Sequence, residues 1–243
     1  MNYISRMTKP ACFVFFSLIV QISIAQQISA DSNQLSSAER HLTGLYNSVR
    51  QNDLPVFNGT QHYSYSPFIE GIAYFESDTW QKGYVVYDDI IYNNMPMKYD
   101  LVTDKLVIKP VSGNVFISLF SQRISEFSFS GHKFIRLEKN EKKDPPAGFY
   151  YVMADGKARL LSKTTKTISE SIVNNELFRK FEEVTRYYIQ KDGLYYEVGS
   201  KNALLNALKE KRKEVQYLIS QRKLKYRIDS EEMILSSVQL YNQ

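Results

Sequence analysis

The stretch Tyr187-Tyr188-Ile189-Gln190-Lys191-Asp192-Gly193-Leu194-Tyr195-Tyr196-Glu197-Val198 decides the fold class. Two runs rich in Tyr, Ile, Leu and Val flank a single Asp-Gly. Aromatic and β-branched residues suit a pleated, half-buried surface. Asp and Gly accept the left-handed backbone that a two-residue hairpin turn requires. The segment therefore reads as two antiparallel strands. A second hairpin of the same kind joins Phe149–Met153 to Ala158–Leu161 through Asp155-Gly156.

Working outward, the same grammar covers Val56 to Val198. Strands are expected at Tyr84–Tyr87, Ile90–Tyr92, Met95–Leu101, Leu106–Ile108, Val115–Phe120, Phe127–Phe129 and Lys133–Leu137. Turns are expected at Asp88-Asp89, Asn93-Asn94, Thr103-Asp104, Ser112-Gly113-Asn114 and Ser130-Gly131. Connections this short join antiparallel neighbours, because parallel strands need long crossovers. Aromatic residues make up 14% of the chain, a surplus that also favours strands.

Helical spacing brackets this region. Ser36 and Glu39 have capping-box spacing ahead of Leu42, Leu45, Tyr46 and Val49, so an amphipathic helix is expected over Ser36–Arg50. After Ser200, a plausible N-cap, Leu204, Leu208, Val215 and Ile219 fall on one helical face. Asp229 and Glu232 mark a second helix start, with Met233, Ile234, Val238 and Tyr241 as its apolar side. The expected fold class is α+β: a mainly antiparallel β-sheet meander, curved or a partly closed barrel, with an N-terminal helix and a C-terminal helical unit packed on the sheet.

The first 25 residues read as an export signal. Arg6 and Lys9 precede the apolar run Ala11–Ala25, and Ser23-Ile24-Ala25 sets small residues before Gln26. Removing 25 of 243 residues leaves 218, enough for one domain with a sizeable core. The expected division is 1–25 signal, 26–55 polar segment and helix, 56–199 β domain, and 200–243 basic helical segment. The only cysteine, Cys12, lies in the signal, so the mature chain has no disulfide and no thiolate ligand. Two cations and no acid leave with the signal, taking the net charge from +5 to +3. Cations concentrate in Lys209–Arg227, where a solvated helix face competes with peripheral contact to anionic lipid. Nucleic acid is not an expected partner of an exported chain. A transmembrane barrel is disfavoured, since the strands fall short of the roughly 10 residues such strands need.

Phe57-Asn58-Gly59-Thr60-Gln61-His62-Tyr63, Trp80, Gly83, Tyr87, Tyr92 and Met95-Pro96-Met97-Lys98-Tyr99-Asp100 form one set of features. Gly131-His132-Lys133-Phe134-Ile135-Arg136-Leu137, the Tyr187–Tyr196 hairpin and the basic tail form another. Together, over Val56 to Tyr241, they resemble a family of exported, uncharacterised envelope proteins of Gram-negative bacteria. The resemblance implies an exported, periplasmic or extracellular protein without an assigned activity or catalytic residues. Asp88-Asp89 stands where the resemblance would place Asp-Gly.

Motifs for catalysis are sparse. His41, His62 and His132 show no metal spacing, and half-buried packing explains His62 and His132. Ser130…Lys133 and Ser220…Lys223 match Ser-x-x-Lys without the helical context that motif needs. Glu70, Glu76, Asp78, Asp88, Asp89, Asp100 and Asp104 could supply an acid pair, but turn positions explain several. Asn58-Gly59-Thr60 is a turn as readily as a glycosylation site. No catalytic, cofactor or metal residue is assigned. The aromatic surplus leaves Tyr84, Tyr87, Tyr150, Tyr151, Tyr195 and Tyr196 as candidates for a recognition surface. The expected function is a non-enzymatic binding or structural component of the bacterial cell envelope, its partner an envelope protein or glycan. The alternative is a hydrolase of an envelope polymer using carboxylates on the sheet.

Overall fold

The computed structural model describes residues 54–110, 115–139 and 145–243. The export signal and the Ser36–Arg50 helix lie outside the described residues. A 3-10 turn at Pro55–Phe57 leads into twelve strands: β1 (Gly59–His62), β2 (Ile69–Glu70), β3 (Gln81–Tyr87), β4 (Ile90–Asp100), β5 (Lys105–Ile108), β6 (Phe116–Leu119), β7 (Ile124–Phe129), β8 (His132–Leu137), β9 (Gly148–Ala154), β10 (Arg159–Val173), β11 (Glu176–Lys191) and β12 (Leu194–Glu197). Three helices follow: α1 (Lys201–Ala207), α2 (Arg212–Gln221) and α3 (Tyr226–Asn242). The strands form one sheet in the order β1-β6-β5-β4-β3-β7-β8-β9-β10-β11-β12, with β2 paired to β11. Every pairing is antiparallel except β2 with β11.

Turn chemistry sets the register. Asp88-Asp89, Ser130-Gly131, Asn174-Asn175 and Asp192-Gly193 each place two successive residues at positive φ. That is the two-residue turn whose twist matches paired strands. The Asp-Asp turn therefore works like Asp-Gly, because a short carboxylate side chain tolerates the left-handed region. Asn93-Asn94 does not end a strand. Gly83 pairs with Met95 and Val85 with Tyr92, so β4 carries an extra residue as a bulge, with Asn94 at φ 56°.

The largest departure from the sequence reading is the β10–β11 hairpin. The expected strands stop at Leu161 and resume at Tyr187, whereas the ladder runs unbroken to Val173 and from Glu176. The intervening Lys, Thr, Ser, Glu and Arg hide the alternation. β-branched Thr164, Thr165, Thr167, Ile168 and Ile172 nevertheless favour extended backbone.

The sheet is open but strongly curled. The Tyr99 ring on β4 lies 5.9 Å from the Phe149 ring on β9. Between these strands in the ladder lie β3, β7 and β8, and a flat sheet would separate them by roughly 19 Å. The curl encloses a core of stacked rings, Phe127 on Phe134 at 4.7 Å and on Phe129 at 6.1 Å, joined by Val85, Tyr87, Met97, Leu106 and Ile108. Gly83 is needed where β3 crosses β7, since a Cβ there would sit 2.0 Å from the Ser128 carbonyl oxygen.

A second core joins the helices to the sheet. Leu160, Tyr187 and Ile189 pack with Leu204, Leu208, Val215, Ile219, Met233, Ile234 and Val238. The Ser200 hydroxyl caps α1 by accepting from the Ala203 amide. Asp229 interrupts α3 with non-helical backbone and accepts from the Lys225 amide, so the chain restarts its helix there. Asn242 ties α3 to the β9–β10 turn, accepting from the Ala158 amide and donating to the Ala158 carbonyl. Leu208→Ala removes a fully buried side chain and should cost about 2–5 kcal/mol. Trp80, the only tryptophan, packs on Phe116 of β6, outside the helix-facing core, and reports the effect. A lowered denaturation midpoint in Trp80 fluorescence is expected. An unchanged midpoint would make the helices an independent appendage.

Candidate functional site

Beyond β1 the chain runs from Tyr63 to Thr79, adding β2 beside β11 and bridging Tyr74 to Asp100 at the end of β4. Its course is fixed by backbone bonds. Phe75 N–H donates to the Tyr99 carbonyl and Leu101 N–H to the Ala73 carbonyl. Gly71 turns the segment at φ 90°, a conformation that favours glycine. Lys166 on β10 is buried, and its ammonium donates to the Ile72 carbonyl at 2.8 Å and pairs with Glu183 at 3.2 Å. A buried ammonium needs such partners, since burying an uncompensated charge is prohibitive.

Between this segment and the strands lies a cleft of about 350 Å³. Tyr65, Tyr74, Trp80, Phe116 and Phe181 supply its rings. Trp80 packs on Phe116 at 4.8 Å, and Tyr65 meets Phe181 edge to face at 5.4 Å. Lys98 is held between the Tyr74 and Trp80 rings, its nitrogen 4.7 and 4.8 Å from their centroids. The same nitrogen pairs with Asp78 at 2.6 Å. Alternation along β4 explains its place: Met97 and Tyr99 enter the core, so Lys98 and Asp100 take the opposite face.

The lining residues Tyr65 and Tyr74 are held by a polar network that does not itself line the cleft. Asp100 is fully buried and accepts from the Tyr65 hydroxyl, the Val102 and Thr103 amides and the Thr103 hydroxyl. His62 hydrogen-bonds Tyr74 at 2.8 Å and Ser118 at 3.2 Å. A neutral ring satisfies both, one ring nitrogen donating to one hydroxyl and the other accepting from the second. Burial lowers the His62 pKa below its usual 6.5, outweighing the nearby Asp100 charge. Burial first, then the Asp100 charge, pushes the Tyr74 hydroxyl up to about 12.

The remaining chemistry-bearing residues have structural partners. Asp104 accepts from the Tyr99 hydroxyl at 2.6 Å and pairs with Lys163 at 2.7 Å. Ser130 sits in a tight turn and donates to Gln81, while Lys133 pairs with Glu126, so no Ser-Lys site forms there. His132 pairs with Glu76 at 3.2 Å and packs on Phe75 and Tyr151. Among the described residues no three His, Cys, Asp or Glu side chains converge as metal ligands. In the basic tail, Lys211 donates to the Leu240 carbonyl and Arg222 pairs with Glu232. A groove of about 440 Å³ beside α2 and α3, lined by Lys213, Glu214, Tyr217, Leu218, Gln221 and Leu240, has no buried polar group in its lining.

The six tyrosines expected to form a recognition surface are dispersed. Tyr87 and Tyr150 are fully buried, which corrects the expectation for those two. Both point into packed clusters because strand alternation and their neighbours put them there. Tyr84 donates to Glu126 on the face opposite Val85 and Tyr87. Tyr151 packs on the stacked-ring core, Tyr195 beside Tyr150 and Tyr188, and Tyr196 against the helices. The rings that do converge escaped the sequence reading because Tyr65, Tyr74 and Trp80 lie on a stretch with no strand period, while Phe116 and Phe181 come from strands far apart in the chain. The signal of that stretch is the density of Tyr63, Tyr65, Phe68, Tyr74, Phe75 and Trp80 without alternation.

Among the described residues no helix is long and apolar enough to cross a membrane. Compared with family models, curated proteins and solved structures, the chain matches none of them.

A base whose folded-state pKa is depressed contributes stability above its unfolded value, and that stability is lost as pH falls below about 6.5. His62→Asn should therefore reduce the loss of stability on acidification through that window. Urea midpoints of the two proteins across a pH series check it. Parallel curves would exclude His62 as a contributor.

Proposed function

We propose that this chain is a non-catalytic binding component of a bacterial cell envelope and that the aromatic cleft takes a glycan. The observation that carries the reading is the convergence of five rings around the Lys98–Asp78 pair. A sugar presents C–H faces that pack on rings and hydroxyls that bond to charged or polar side chains. A cleft of about 350 Å³ with few, fixed polar groups suits such a ligand. Lys98 is held in place before any ligand arrives, so little side-chain entropy remains to be lost on binding.

Binding is favoured over hydrolysis by the state of the acids. Hydrolysis of a glycosidic bond needs one carboxyl free to donate a proton and a second free to attack or activate water. Asp100 has its oxygens occupied by four donor groups, Asp104 is held by Tyr99 and Lys163, and Asp78 is engaged by Lys98. Export is supported by Arg6, Lys9 and the Ala11–Ala25 run, and by the resemblance to exported envelope proteins. The reading places the mature start at Gln26, which intact mass from the native host would show.

Soluble muropeptides and lipopolysaccharide core oligosaccharides are the probes. One of these should shift Trp80 fluorescence saturably. Calorimetry should show binding weakened at least tenfold by Lys98→Met or Trp80→Ala, with the fold kept. Indifference of Trp80 to both glycans, or binding unaffected by both substitutions, would reject the cleft. Turnover of either glycan, abolished by replacing Asp78 or Asp100, would reject the non-catalytic reading.

A further inference from the structure

The outer half of the β10–β11 hairpin leaves a strand edge without a partner. β9 pairs with β10 only at Leu160–Ser162, and the Lys166 amide donates to the Leu101 carbonyl. Among the described residues no strand pairs with this edge beyond Lys166. The opposite edge is covered, because β2 pairs with β11 at Arg179 and Lys180. Peptide groups alternate in direction along an antiparallel strand. Since the Lys166 amide points outward, so do those of Ile168, Glu170 and Ile172. An exposed, unpaired edge of this length is a template for an added strand.

The side chains flanking this edge are unusually apolar for a surface. Ile172 is 76% exposed, Leu177 opposite it 56% and Ile168 39%. Ile168, Ile172, Leu177 and Phe181 lie on one face, since Ile172 pairs with Leu177 and Ile168 with Phe181. Phe178 on the other face and Phe68 beside β11 are exposed as well.

We propose that this edge pairs with its own counterpart on a second copy of the chain, antiparallel and centred on Glu170. The free edge spans 167–173, so its midpoint gives the greatest overlap. In that register Ile168 of each copy faces Ile172 of the other. The four-stranded face then carries two continuous rows of Leu177, Ile172, Ile168 and Phe181. Between them runs a row of Arg179, Glu170, Glu170 and Arg179. Like charges facing each other across strands are unfavourable, but each Glu170 is already paired with its own Arg179 at 2.8 Å. The three outward residues of each copy form about six interchain backbone hydrogen bonds. The contact rests on this backbone pairing and on Ile168 packing against Ile172 of the other copy, a cross-strand apolar pair repeated on both sides of the two-fold axis. A register one pair lower, centred on Ile168, is blocked because the Lys166 edge is already bonded to Leu101.

Sedimentation of the purified chain over a dilution series tests the proposal. A dimer dissociating on dilution is expected. Glu170→Pro removes an outward amide and leaves the bonds to β11 in place, and Ile172→Lys changes only an exposed side chain. Both should give a monomer whose circular dichroism and Trp80 fluorescence match the wild type. With Cys12→Ser in the background, Glu170→Cys should cross-link under mild oxidation. Directly opposed residues of a hydrogen-bonded pair have Cα atoms about 5.5 Å apart, within the disulfide range of roughly 4.4–6.8 Å. Glu176→Cys should not cross-link. A monomer at every concentration overturns the proposal, as does a dimer indifferent to both substitutions. Cross-linking through Glu176→Cys but not Glu170→Cys overturns the register.

Discussion

The structure depends on the seam where the β4–β5 turn meets β10. Without it the sheet would be an open ribbon with one wet face. At the seam the Lys166 amide donates to the Leu101 carbonyl, and Lys163 pairs with Asp104. Asp100 at the end of β4 draws the turn tight by accepting from the Val102 and Thr103 amides. Gly148 is required here: at φ 136°, a Cβ would lie 2.0 Å from the Asp104 carboxylate and 2.4 Å from the Lys163 nitrogen. An isolated surface ion pair is worth little. This one matters because it is largely shielded and shares its carboxylate with the Tyr99 hydroxyl. Removing Asp104 takes an acceptor from both the Tyr99 hydroxyl and the Lys163 ammonium, so the loss exceeds that of an isolated surface pair.

Two consequences follow from the seam. Curling brings Tyr99 over Phe149 and lets the stacked phenylalanines fill the interior. The same closure brings Lys166 to the Ile72 and Tyr74 carbonyls, which fixes the Tyr63–Thr79 segment where Ala73–Phe75 pairs with the end of β4. The cleft is thus a by-product of how the curl is held. Its ring walls come from that segment, with Trp80 just beyond it, and from Phe116 on β6 and Phe181 on β11, and its charged pair comes from the segment and β4. The helices stabilise the opposite arm of the sheet, where Lys191 is buried and donates to the Ala207 carbonyl and to Glu210.

Much of the ladder is legible in the sequence, because its turns state their own conformation. Asp192-Gly193 and Ser130-Gly131 announce left-handed backbone, and the apolar residues around them alternate. The helical tail is legible through the Leu204, Leu208, Val215 and Ile219 stripe. What escapes is whatever depends on distant residues. The strands over 163–186 look polar because neither face of that ribbon lies fully in a core. Asn93-Asn94 has the composition of a turn, but strand pairing on both sides turns it into a bulge. The cleft depends on a curl that no local pattern encodes, so Trp80, Lys98 and Phe181 have no sequence spacing in common. The tyrosine expectation failed at Tyr87 and Tyr150 for a related reason. Composition shows that rings abound, and only the packing of both sheet faces shows which are enclosed.

Hydrogen exchange at the Lys166 amide tests the seam most directly. If the Lys166–Leu101 bond holds the curl closed, this amide should exchange only through global unfolding, with a protection equal to that of Phe127 in the core. Exchange of the Lys166 amide at the rate of a frayed strand edge, while Phe127 stays fully protected, would show that the core curls without the seam and would contradict the account.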